Sequence, residues 1–103
     1  MMYAYFLNQL ELCNSEEAKM LALIIRRYWN DRVEYRNGSF YLSTYANFRD
    51  YSSISSLGYT DEYQKIKGFM EEVEYHKEHK IKGTPICWRV SSYYHNELQF
   101  WLE

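Results

Sequence analysis

Residues 14–31, NSEEAKMLALIIRRYWND, decide the fold. Ala18, Leu21, Ala22, Ile25, Tyr28 and Trp29 recur at i, i+3, i+4, i+7, i+10 and i+11, one face of an α-helix. Leu23 and Ile24 widen that face, while Lys19, Arg26 and Arg27 mark the solvent side. Asn14 is placed to cap the helix, with Glu17 three residues on completing a capping-box pattern. Asn30-Asp31 ends it. So wide an apolar face has to lie at the centre of a core.

Working outward, residues 1–13 form an apolar and aromatic arm, extended or briefly helical. It packs on the body, because alone it would leave Tyr3, Tyr5, Phe6, Leu7 and Leu10 in water. Downstream, Asn37-Gly38 separates VEYR from SFYL. Both central residues of a type I′ turn need positive φ, which Asn-Gly accepts cheaply, so a tight β-hairpin is predicted. Ser43 stands before TYANFRDY, where Tyr45, Phe48 and Tyr51 line one side of a short helix. SSISS then reads as a polar turn. Thr60 is placed to cap a third helix over 61–75, with Tyr63, Ile66, Phe69, Met70 and Val73 at helical spacing. Gly83-Thr84-Pro85 reads as a turn before Ile86, Trp88 and Val90, which alternate with Cys87 and Arg89 as a strand does, giving a second hairpin. Over 92–103, Tyr94, Leu98, Trp101 and Leu102 at i, i+4, i+7 and i+8 suit a short closing helix.

The 103 residues fill one domain. Twelve Lys and Arg against fourteen Asp and Glu exclude a polycation, unlike domains that bind nucleic acid at a pI above ~9. With 47% hydrophobic and 19% aromatic residues and a single proline, the chain has the composition of a folded domain rather than a disordered one. Two cysteines are too few for a disulfide framework. The longest apolar run, Met20–Ile25, is far short of the ~20 residues of a membrane span. The start of the chain lacks the pattern of a signal peptide. These features lead to the expectation of a cytoplasmic protein with free thiols and no membrane partner.

The order of helix, hairpin, short helix, turn, helix and strand–turn–strand is that of a helix-turn-helix carrying a β-hairpin wing. Within it stand Ala18-Lys19 in the first helix, the step Leu42-Ser43, and Gly83-Thr84-Pro85 leading to Trp88-Arg89-Val90. On these residues the chain resembles, over 14–91, the N-terminal winged-helix domain of phage and plasmid replication-initiator proteins. The resemblance implies an α+β fold: one winged-helix domain spanning 1–103, made of the arm, a three-helix helix-turn-helix core with β-hairpins over 14–91, and the closing helix. It also implies a DNA-binding protein of a phage, plasmid or mobile element, acting in replication or transcriptional control.

If Tyr63, Ile66, Phe69 and Met70 face the core, Gln64, Lys65 and Lys67 project outward as readers of base edges or phosphates. The wing adds Lys80, Lys82 and Arg89, within a stretch where four cations face the single carboxylate Glu78. The competing explanation is that these charges only keep exposed faces solvated. Asp61, Glu62, Glu71 and Glu72 on the same helix suit a protein better than phosphate. That gives a second expectation: a small viral or mobile-element protein that binds and inhibits a host protein, such as a defence nuclease or replication factor. Tyr35, Tyr41, Tyr59, Tyr75, Tyr93 and Tyr94 are the candidates for stacking on bases or anchoring a partner. A homodimer through the arm or the closing helix is a further option.

His76, His79, His95, Cys13 and Cys87 are metal-ligand types, but two of the histidines lie in the charged stretch EYHKEHK and no Cys-x-x-Cys or His-Glu-x-x-His occurs. No nucleophile elbow, phosphate loop or dinucleotide fingerprint is present. Neither cofactor, metal nor catalytic residue is therefore expected.

Overall fold

The computed structural model describes residues 2–44 and 61–103. The long amphipathic segment forms helix α2 (Glu16–Arg32), preceded by α1 (Met2–Glu11). Residue 15, not residue 14, caps α2: Ser15 has extended backbone, and its hydroxyl accepts from the Ala18 amide at 3.1 Å. This shift of one residue removes Glu17 from the capping box. Its carboxylate accepts instead from the buried Trp88 indole N–H at 2.9 Å. The helix also runs past Asn30-Asp31 and feeds directly into the first strand, β1 (Val33–Arg36).

The Asn-Gly hairpin forms as expected. β1 pairs with β2 (Ser39–Ser43), Arg36 facing Ser39, and both turn residues have positive φ, 49° at Asn37 and 84° at Gly38. The expected short helix with Tyr45, Phe48 and Tyr51, the SSISS turn and the Thr60 cap lie outside the described residues. Helix α3 (Asp61–Glu72) buries Tyr63, Ile66 and Met70, and it ends three residues before the expected boundary. The second hairpin joins β3 (His79–Lys80) to β4 (Ile86–Val90).

The closing helix expected over 92–103 is instead a strand, β5 (Glu97–Leu102). Two of the residues spaced for a helix, Leu98 and Leu102, also fit a period of two with Phe100, while Gln99 and Trp101 point the other way. Antiparallel partners on both sides, β2 and β4, give every backbone group of that segment a ladder, and tertiary pairing overrides the local helical spacing. The strand order is β1-β2-β5-β4-β3, all antiparallel.

The domain is therefore α+β. Among the described residues it has three helices and a five-stranded antiparallel sheet, an architecture compatible in general terms with a helix-turn-helix protein. The helices pack on one face of the sheet, against Leu42, Ile86, Trp88, Val90, Leu98 and Phe100. The arm is helical, and it plugs that layer with Phe6 and Leu10. The Phe6 ring stands edge-on to Phe100, 4.9 Å between centroids, and to Phe40 at 5.4 Å, a geometry favoured by the ring quadrupoles. No helix among the described residues is long and apolar enough to cross a membrane.

Candidate nucleic-acid interface

The six cationic and amide side chains picked out in the sequence fall on two sides of the sheet. Gln64, Lys65 and Lys67 are exposed on α3. That helix belongs to the covered face, where Phe69 lies 5.5 Å from the Trp88 ring. Along β4, Ile86, Trp88 and Val90 are buried against the helices, so alternation turns Cys87 and Arg89 to the opposite face. Lys80 pairs with Cys87 and shares that face. Lys82 sits in the β3–β4 turn, which Gly83 closes with φ 86°. With Lys80, Ser15 and Glu17 it borders a groove of about 400 Å³.

The face opposite the helices carries a continuous array. In one row across the sheet Tyr41 faces Gln99, which faces Arg89; in the next Ser39 faces Trp101, which faces Cys87. The Arg89 Nε donates to Gln99 Oε1 at 2.7 Å, and Gln99 Nε2 donates to the Ser39 hydroxyl at 3.0 Å. Buried polar groups in the middle of the sheet are thus satisfied by one another. Two guanidinium groups lie over aromatic rings: Arg89 at 5.5 Å from the Trp101 centroid, Arg36 at 3.9 Å from that of Tyr41.

Carboxylates neutralise most of these cations. Arg89 meets Glu78 at 3.5 Å, Arg36 meets Glu97 at 3.9 Å, and Lys80 meets Glu103 at 2.7 Å. The hydrogen bond that Lys80 donates to Glu103 keeps its ammonium protonated to higher pH than usual. On α3, Lys67 pairs with Glu71 at 2.9 Å. Such exposed pairs are weak, because solvent screens them and flexible side chains hold them.

Of the tyrosines singled out in the sequence, Tyr35, Tyr75, Tyr93 and Tyr94 are exposed, Tyr41 is half-buried, and Tyr59 lies outside the described residues. Trp101 and Arg36 were not picked out. Reading Leu98, Phe100 and Leu102 as a period of two would have turned Trp101 to the face opposite those three. Cys13 and Cys87 are free thiols, and burial pushes the Cys87 thiol above its ordinary pKa. Among the described residues no three His, Cys, Asp or Glu side chains gather as a metal-ligand set.

Comparison of the chain with models of protein families, with curated proteins and with solved structures returns no match.

Proposed function

We propose that the domain binds nucleic acid through unpaired bases laid over the face of the sheet opposite α1, α2 and α3. The observation that carries this reading is the pairing of Trp101 and Tyr41 with Arg89 and Arg36 across that face. Bases stack on aromatic rings and on guanidinium planes alike, and antiparallel sheets with exposed aromatics are a recurring platform for single strands. Lys80 lies on the same face, and its ammonium is within reach of the backbone of a strand crossing it. Gln99 offers an amide between the two stacking sites. The setting implied by the resemblance to replication initiators is a mobile element's replication or transcriptional control.

The winged-helix reading differs in geometry. It lays α3 in a major groove, with Gln64, Lys65 and Lys67 on bases and Lys80, Lys82 and Arg89 on flanking phosphates. The order of elements supports it. The separation of Lys80 and Arg89 from α3 by the thickness of the sheet favours the single strand.

Fluorescence anisotropy with labelled oligo(dT) and with a duplex of equal length distinguishes them. Binding to oligo(dT) is expected, falling about twentyfold between 50 and 200 mM salt if three phosphates are neutralised. Trp101→Ala should weaken it by about fivefold to a hundredfold, the equivalent of ~1–3 kcal/mol of stacking. The double change Lys65→Ala with Lys67→Ala should leave it unaltered. A duplex preference lost on changing Lys65 and Lys67 would instead establish the groove-reading geometry.

Absence of binding to either nucleic acid at low salt would overturn both, in favour of a protein partner. One observation favours that second reading: Tyr75, Tyr93 and Tyr94 form an exposed aromatic cluster, with centroids 5.9 and 5.6 Å apart. Tyrosines of this kind anchor protein interfaces, and a host protein inhibited by the domain is the partner that reading names.

A further inference from the structure

The two edges of the sheet are treated differently. At one edge β3 is only two residues long and is flanked by Lys77 and Lys82, the usual way of blunting an edge. At the other, β1 is four residues of VEYR with Glu34, Tyr35 and Arg36 exposed, and it carries no proline or bulge. Arg36 and Ser39 flank the two-residue turn and close its hydrogen-bonded pair. Alternation then directs the N–H and C=O of Val33 and Tyr35 away from β2, toward solvent.

We propose that this edge is where a second copy of the chain docks, β1 pairing with β1 antiparallel about a two-fold axis through Tyr35. The outward-pointing residues limit the registers. One centred on Glu34 sets Glu34 against its own copy, two like charges face to face. The register centred on Tyr35 sets Glu34 opposite Arg36 of the second copy, twice over by symmetry. Glu34 has no ion-pair partner in its own chain among the described residues, and Arg36 holds Glu97 only loosely, at 3.9 Å. The strand is thus self-complementary in charge as well as in hydrogen bonding, as a two-fold interface requires. Tyr35, 65% exposed, lies on the helix-covered side beside Phe40, where a groove of about 440 Å³ is also walled by Met2 and Leu102. Pairing about the axis brings the tyrosine of the second copy alongside that apolar groove, so the interface has a hydrophobic centre flanked by two charge pairs.

Sedimentation equilibrium across a concentration series reads the result. The wild-type chain is expected to reach twice its mass of 12.6 kDa. Glu34→Arg and Arg36→Glu should each raise the dimer dissociation constant at least tenfold, and the two together should restore it to within about threefold, because the pair is inverted rather than broken. Tyr35→Lys puts like charges on the axis at an exposed position the monomer does not need, and should abolish the dimer with an unchanged circular dichroism spectrum. A wild-type chain that stays monomeric at its highest soluble concentration overturns the proposal. So does a dimer indifferent to Tyr35→Lys, or one tightened by Glu34→Gln, as the register centred on Glu34 would require.

Discussion

The two faces of the sheet are made by the same strands, a single residue apart in phase, and they do opposite work. On the helix-covered face Trp88, Phe100 and Leu98 are almost wholly buried, and their value is the apolar area they remove from water. On the other, Trp101, Tyr41, Arg89 and Arg36 spend their rings and charges on one another and stay open to solvent on one side. Two tryptophans on adjacent strands, Trp88 and Trp101, therefore have different roles. Position in the pleat separates them, not residue type.

The largest test of that contrast is to truncate each in turn. Trp88→Ala should cost ~3–5 kcal/mol in urea denaturation, the range for a large side chain deleted from a packed core. Trp101→Ala should cost no more than ~1 kcal/mol, its loss being read in binding instead. Comparable stability losses at both positions would mean that the second face is part of the core.

A smaller effect is expected at a polar tie that reaches into the covered face. Glu17→Ala strands the Trp88 indole N–H without its acceptor and should cost ~1–3 kcal/mol. Glu17→Gln, which keeps an acceptor oxygen, should recover a good part of it. The smallest effect lies at the helix start: Ser15→Ala should cost ~1 kcal/mol as a lost cap, whereas Asn14→Ala should fall within ~0.5 kcal/mol of wild type. Equal losses at 14 and 15 would return the cap to Asn14.

The elements set by local chemistry were legible in the chain. Asn37-Gly38 specifies its hairpin because few other residue pairs accept two successive positive φ values, and the apolar stripe of α2 has one interpretation. What escaped was non-local. The segment ELQFWL is a strand because β2 and β4 lie on either side of it; its alternation permits a strand, but nothing within those six residues names the partners. The same omission hid the site. With 92–103 read as a helix, Trp101 had no place beside Arg89, and the charges of α3 and of the second hairpin seemed to form one surface. Alternation along β4 divides them between two faces.

The central position of β5 bears on how the chain comes to be folded. Its pairs, Phe40 with Phe100 and Leu42 with Leu98, join residues more than fifty positions apart. Until they form, the two flanking hairpins share no strand. A ribosome delivers the chain from its N-terminus at ~5–20 residues per second, so the hairpins emerge with half-built apolar faces and wait for residues 97–102. Sheet closure then waits on contacts of long sequence range, and such contacts make for slow folding. A nascent chain halted before Glu97 would present two unfinished hairpins and a helix layer with no complete sheet to cover.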